Sequence, residues 1–325
     1  MYDLSFPHLG ITIEHLRNSI QIGNFSIAFY GLIIGIGIIV GLLLTVKEAK
    51  RTGQNPDDYY DFIIWGIIGG VVGARIYYVI FEWEYYSQHL PEIFDLRSGG
   101  LAIYGTIIGS FAALFIWCKI KKKNPILMLD TMAPQLALAQ ALGRWGNFFN
   151  MEAFGRYTDG LFAMQLRMAA VNPGMIDADT LKHVITINGT DYIQVAPTFL
   201  YESVWCFLLF LFLLFMQRRK KFTGQILCLY VGLYGLERMI VEGLRTDSLM
   251  LGQFRVSQLL AAACVIGAAI AYIILYNRYK KQQIAVKQTD VTEQTETAEQ
   301  TTMNQAVNEN EQAVTSDEHA SEDNT

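Results

Sequence analysis

Apolar residues in this chain do not alternate or recur on one face; they run. Seven stretches stand out, at approximately 25–46, 62–81, 101–118, 125–142, 199–216, 225–241 and 256–276. Each approaches the roughly 20 apolar residues that a helix needs to cross a hydrocarbon core about 30 Å thick. The fourth is interrupted by Asp130, Pro134, Gln135 and Gln140, a polarity that a water-lined or protein-buried position accommodates. The long connection after it contains "HVITINGTDYIQV", with β-branched and aromatic residues on both sides of Asn188-Gly189, which is a strong hairpin signal. The pattern predicts an all-α polytopic membrane protein of about seven transmembrane helices, with a small extracytoplasmic subdomain containing a β-hairpin. Its expected parts are an N-terminal segment (1–24), a helical domain (25–281) that includes the subdomain at 144–198, and a tail (282–325).

Composition sharpens this picture. The chain is 52% hydrophobic with a mean hydropathy of +0.26, beyond what soluble domains of this size carry in repeated long runs. The net charge of −5 is misleading, because residues 288–325 hold ten acidic side chains and no Lys or Arg. Without them the chain is +5. That terminal segment, rich in Thr, Gln, Glu and Asn, has too few large apolar side chains to offset its ordering entropy and is expected to be disordered. Nothing in the charge pattern calls for a nucleic-acid partner.

Lys and Arg set the expected orientation. Alternate connections carry Lys47, Lys50 and Arg51, then "KIKKK" at 119–123, "RRKK" at 218–221, and Arg278, Lys280, Lys281 and Lys287. This predicts an N-terminus outside and a C-terminus in the cytoplasm, which requires an odd number of spans. "MYDLSFPHLG" lacks the basic start of a cleavable signal, so the first apolar run is expected to remain as an anchor. Cys118, Cys206, Cys228 and Cys264 all lie in apolar runs without metal-like spacing, and the five histidines are dispersed, so neither a disulfide framework nor a metal centre is expected. Pairs such as Gly31/Gly35, Gly37/Gly41, Gly66/Gly70 and Gly105/Gly109 let helix backbones approach closely in lipid.

One stretch breaks the apolar pattern. "GRWGNFFNMEAFG", residues 143–155, places Arg144, Asn147, Asn150 and Glu152 among Gly143, Gly146 and Gly155 at the outer end of the fourth span. At the same level "VEGLRTDS" brings Glu242, Arg245 and Asp247, "PTFLYES" brings Tyr201 and Glu202, "GGLAIYG" brings Tyr104, and "AFYG" brings Tyr30. A single arginine there is explained by snorkelling toward lipid phosphates; polar groups from five spans converging on one leaflet are not. Two guanidiniums can clamp a phosphodiester and stabilise charge growing on a departing phosphate. Asn147 and Asn150 can hold glycerol or phosphate oxygens, and Glu152 can orient Arg144 or take a proton. Arg75 and Arg238, inside spans, read as structural ion-pair partners of a carboxylate such as Glu237 or Glu242.

The same residues carry a resemblance. "GRWGNFFNMEAFG" resembles the signature of the prolipoprotein diacylglyceryl transferase family, and "GARIYYVIF", "GGLAIYG", "PTFLYES" and "EGLRTDSL" follow in that family's order, so the similarity covers about residues 20–280. It implies a membrane enzyme of seven spans in the bacterial cytoplasmic membrane. Its substrates would be phosphatidylglycerol and the signal peptides of prolipoproteins. The diacylglyceryl group would pass to the lipobox cysteine as a thioether, with release of glycerol phosphate and without metal or organic cofactor. The resemblance makes Arg144 the phosphatidylglycerol-binding arginine and Arg245 the second essential one, with Tyr104 and Glu152 beside them as catalytic candidates. Asn147, Asn150, Tyr30, Glu202 and Glu242 complete the candidate binding set. Tyr104 departs from the family, where many members have a histidine cast as the base. With an ordinary pKa of about 10, tyrosine is a poor base at neutral pH. Base duty then falls to Glu152 or Glu242, or to no dedicated group, and Tyr104 is expected to donate a hydrogen bond to phosphate. The competing class, an anionic-lipid transporter or flippase, predicts pseudo-symmetric halves, and no internal repeat relates 25–142 to 199–276.

Overall fold

The computed structural model describes residues 3–23, 25–96, 99–245, 250–251, 254–285 and 288. Asp247 and residues 289–325 of the acidic terminal segment lie outside the described residues. Residues up to Tyr272 form one compact unit, and a second unit runs from Ile273; the described part of the latter is helical up to Ala285.

The long helices are α1 (Phe29–Arg51), α2 (Asp57–Phe81), α3 (Ile103–Lys121), α4 (Pro125–Phe149), α5 (Thr198–Gln217), α6 (Gln225–Glu242) and α7 (Val256–Ala285). Five of them, α1, α2, α3, α5 and α7, are long and apolar enough to cross a membrane. Large apolar side chains such as Ile39, Ile64, Ile80, Ile108, Leu208 and Ile266 stand on their outward faces. Water does not tolerate such continuous apolar surface, whereas lipid does. The chain is a multi-pass membrane protein.

Helix α4 runs well past residue 142, where the apolar pattern ends, and it sits centrally against α1, α5 and α6. Its start is legible in the sequence: the Asn124 side chain accepts from the backbone N–H groups of Ile126 and Leu127 at 2.9 and 3.2 Å, and Pro125 follows at the first helical position. Both are N-terminal signals. Asp130, buried by protein, explains part of the polarity of this span. Its carboxylate accepts from the N–H groups of Gly224 and Leu227 at 2.8 and 2.7 Å. It thereby caps the neighbouring helix α6 from outside, and Lys220 lies 3.4 Å away.

Small residues set the α2–α3 crossing. A Cβ on Gly69 would stand 2.8 Å from the Gly109 carbonyl oxygen, so side-chain bulk there would push the helices apart. Ser110 Oγ donates to the Gly66 carbonyl at 3.1 Å across the same contact. Gly37 and Gly41 likewise lie against α4, but Gly31 and Gly35 face open space, so that pair does not serve packing within the chain. Three of the basic connections meet at one end of the bundle, where Lys123 pairs with Asp58 at 2.6 Å, Lys121 with Asp61 at 3.1 Å, and Arg51 reaches the Gln217 carbonyl at 3.5 Å.

At the other end lies a five-stranded antiparallel sheet in the order β2-β1-β5-β7-β6, formed by β1 (Leu4–Phe6), β2 (Ile11–Ile13), β5 (Met164–Arg167), β6 (Ile185–Ile187) and β7 (Thr190–Val195). Strands β3 (Ser19–Ile22) and β4 (Phe25–Ala28) pair separately just before α1. Asn188 and Gly189 join β6 to β7 with φ of 50° and 76°, the left-handed pair that matches the twist of the strands it connects. Residues 4–13, for which the hydropathy pattern predicts no element, supply two of the five strands. His8 Nε2 ties this segment to Asp159 at 2.9 Å, and that bond with one from Gln194 holds the Asp159 carboxyl below its ordinary range. The sheet buries Leu4, Leu166, Ile193 and Val195 against Phe148 of α4 and Phe199 of α5, so its core continues into the two helices that frame the polar stretch.

Candidate active site

The last two turns of α4 carry Arg144 and Asn147, which puts them on a rigid helix instead of a loop. Asn150 ends that helix, its N–H bonded to the Gly146 carbonyl at 3.1 Å. The chain then turns sharply, with Met151 and Ala153 at φ of 50° and 56°. Such left-handed backbone costs non-glycine residues about 1–2 kcal/mol each, and here it flanks Glu152. The turn folds Glu152 back on the helix: its Oε1 accepts from Asn147 Nδ2 at 3.0 Å and from Asn150 Nδ2 at 3.2 Å. Arg144 Nη1 lies 3.5 Å from Asn147 Oδ1. Arg144, Asn147, Asn150 and Glu152 are thus one hydrogen-bonded string.

The glycines of the stretch differ in purpose. A Cβ on Gly146 would run into the Tyr30 ring, and one on Gly155 would meet Ala196, Thr198 and the Leu244 carbonyl. Gly143 faces open space. The segment after Glu152 is stitched to both flanking elements: Gly155 N–H donates to the Ala196 carbonyl at 2.8 Å, Arg156 N–H to the Leu244 carbonyl at 3.0 Å, and Thr198 Oγ1 to the Ala153 carbonyl. A bridge between Gly155 and Arg245 completes it. This stitching holds Arg245 beside the end of α4.

Glu202, in the first turns of α5, is where the charges meet. Its Oε2 lies 2.7 Å from Arg144 Nη2 and 3.1 Å from Arg238 Nη1, and its Oε1 lies 3.7 Å from Arg245 Nη1. Arg238 also pairs with Glu242 one turn later, at 2.6 Å. Exposure sorts these groups into two layers. The arginine side chains are 20%, 21% and 13% exposed, whereas Glu202 and Glu242 are 1% and 3%. Three guanidiniums therefore lie partly open over a buried carboxylate floor that offsets their mutual repulsion. Glu237 belongs to that floor: it is 1% exposed, and neither of its carboxylate oxygens has a hydrogen-bond partner among the described residues. Trp145 locks the frame from the side, donating to Ser203 Oγ at 3.1 Å while Ser203 donates to the Ala141 carbonyl at 2.9 Å.

Arg144, Asn147, Asn150, Glu152, Glu202, Glu242 and Arg245 therefore come together, and Tyr30 joins them through Gly146. Tyr104 reaches the same end of the bundle, its hydroxyl 3.2 Å from Ser257 Oγ. Arg238 and Glu237 are the residues that the sequence pattern undervalues. The four-residue step from Arg238 to Glu242 places both on one helix face, a signal that could have drawn Arg238 into the cluster. Arg75 proves different from expectation: its guanidinium donates to the backbone carbonyls of Glu92, Ile93, Gly99 and Gly100 at 2.5–3.0 Å and lies over the Tyr86 ring. It pairs with carbonyl oxygens because the segment before α3 turns them inward. Among the described residues no three His, Cys, Asp or Glu side chains group as metal ligands would.

Comparison with known proteins converges on one family. The family model described as prolipoprotein diacylglyceryl transferase matches residues 17–285. A phosphatidylglycerol–prolipoprotein diacylglyceryl transferase of Finegoldia magna is 45% identical over 269 residues, covering 82% of this chain and 97% of that protein. Proteins of the same name from Clostridioides difficile and Streptococcus uberis are 41% and 42% identical over 264 residues, each covering 81% of this chain and 97% and 95% of their own lengths.

Proposed function

The chain belongs to the prolipoprotein diacylglyceryl transferase family, and from that membership we propose that it carries out the family's reaction. It transfers the diacylglyceryl group of phosphatidylglycerol to the lipobox cysteine thiol of prolipoproteins, the first step of lipoprotein maturation. A carbon–sulfur bond forms at the glycerol carbon as the carbon–oxygen bond to phosphate breaks. The products are a thioether and glycerol phosphate.

The observation that carries the reading is the convergence of Arg144, Arg238 and Arg245 on the single buried carboxylate of Glu202. Held by that floor, the guanidiniums need little reorganisation when negative charge grows on the leaving phosphate, the condition under which electrostatic stabilisation is largest. Arg144 is the phosphate clamp and Arg245 its partner, with Arg238 between them. Asn147 and Asn150 bind glycerol and phosphate oxygens. Each also donates to Glu152, which fixes how their amides face the lipid. Tyr30 lines the path at the start of α1, and Glu202 and Glu242 orient the arginines. The attacking species is the thiolate; Glu152, the carboxylate of the hydrogen-bonded string, is the candidate to take the thiol proton, while Tyr104 donates to phosphate.

The full architecture we infer is seven spans, adding α4 and α6 to the five apolar helices, in a bacterial cytoplasmic membrane with the N-terminus outside and the C-terminus inside. Its support is the gathering of Lys and Arg at the end of the bundle opposite the arginine cluster, as the positive-inside bias requires. The site then faces the outer leaflet, beneath the extracytoplasmic sheet.

The test is reconstitution. Purified protein, phosphatidylglycerol and a synthetic lipobox peptide should give a diacylglyceryl mass gain on the peptide cysteine together with glycerol phosphate. Neither product from folded protein would remove the reading.

A further inference from the structure

Tyr104 Oη and Ser257 Oγ stand 3.2 Å apart, one in the first turn of α3 and the other in the first turn of α7. The start of α7 is itself fastened to the end of α6. Gln258 Nε2 donates to the Met239 carbonyl at 3.0 Å, and the Arg255 guanidinium donates to the Glu242 carbonyl. Through Ser257 and its neighbours the phenol is therefore held relative to the helix that carries Arg238 and Glu242. The Tyr104 ring also lies 6.3 Å, centroid to centroid, from that of Tyr77. The ring is placed by packing and the hydroxyl by Ser257.

A phenol can accept a hydrogen bond and donate one at the same time. When a serine hydroxyl donates to its oxygen, the phenol proton is left for another acceptor, and the two bonds polarise each other in the same sense. We propose that Ser257 is a positioning residue for the transfer: it donates to Tyr104 Oη, so that the phenol proton is presented to the phosphate of the bound lipid. This rests on the transferase reading and on the role of Tyr104 within it. It also gives a chain with tyrosine at this position a hydroxyl partner from α7, so the donor direction does not depend on the phenol alone. Small errors in the placement of a reacting group are costly, which gives the supporting bond its leverage on rate.

The experiment compares full-length wild type, Ser257→Ala, Ser257→Thr, Tyr104→Phe and the double variant Ser257→Ala/Tyr104→Phe, each assayed for kcat and for KM toward phosphatidylglycerol with a lipobox peptide. Ser257→Ala should lower kcat roughly five- to twentyfold with KM changed by less than about twofold. Threonine, which keeps the hydroxyl, should restore activity to within about twofold. In the Tyr104→Phe background the alanine change should cost almost nothing more, because the two residues act as one unit. A packing role would instead lower activity regardless of residue 104, giving losses that multiply. The proposal is overturned by multiplying losses, by a Ser257→Ala variant as active as wild type, or by a threonine variant no better than alanine. Wild type without activity on both substrates would remove the transferase reading itself, whereas active wild type with an indifferent Ser257→Ala removes only the role of Ser257.

Discussion

At the scale of single residues, the proposed recognition of phosphate depends on the fork of Arg144. Its Nη2 is 2.7 Å from Glu202 while Nη1 faces Asn147, a planar arrangement that an ammonium cannot reproduce. Arg144→Lys, though it keeps the charge, should lose a hundredfold or more in kcat/KM, or about 3 kcal/mol of transition-state stabilisation. A lysine variant with more than about a third of wild-type activity would contradict the clamp. Tyr104 gives a second residue-level expectation. If it donates a hydrogen bond to phosphate, histidine at that position keeps substantial activity and phenylalanine loses about a hundredfold, since the ring is retained but the donor is not. Equal activity in the phenylalanine variant would take Tyr104 out of the chemistry. Much of the candidate cluster was legible from residue types alone: Arg144, Asn147, Asn150 and Glu152 stand out because lipid tolerates such groups only where they work or are paired. Glu237 and Arg238 were harder to see. One of each sign side by side in an apolar helix looks like a self-contained pair, and only the packing of α4, α5 and α6 turns both into members of a shared cluster.

At the scale of elements, the fourth helix teaches the most. Hydropathy ends it near residue 142, yet it continues to Phe149, because its polar side chains face partner helices that hydropathy does not register. Asp130 is the clearest case. A charged residue in an apolar span looks like an interruption, but it caps α6 through Gly224 and Leu227. Asp130→Ala should therefore lower stability by about 2 kcal/mol through two orphaned N–H groups at a buried helix start, read as a lower melting temperature in detergent. Activity per folded molecule should be unchanged, and an unaltered melting temperature would contradict the capping role. The hairpin at Asn188-Gly189 was legible because two residues encode it. Strands β1 and β2 were not, since three-residue strands carry no period long enough to recognise, and the pairing of β1 with β5 spans more than 150 positions. Topology is testable at the same scale. A cysteine at Asn188 should react with a membrane-impermeant thiol reagent in intact cells, and one at Lys122 only after permeabilisation. The reverse pattern would invert the orientation and move the site to the inner leaflet.

At the scale of the whole molecule, an apolar bundle, a basic end and a sheet at the opposite end enclose one neutralised cluster of arginines and glutamates. That arrangement suits a substrate held in the membrane by its acyl chains and another anchored by an apolar signal segment, each presenting its reactive group at the end of the bundle that carries the cluster. A transporter would move intact lipid; a transferase must split it. The direct measurement uses phosphatidylglycerol labelled separately in the headgroup glycerol and in the diacylglyceryl part, incubated with purified protein and a lipobox peptide containing either cysteine or serine. The diacylglyceryl label is expected on the cysteine peptide alone, while the headgroup label is released as glycerol phosphate in equal amount. Both labels remaining together in intact lipid, in the presence of folded protein and thiol peptide, would contradict it.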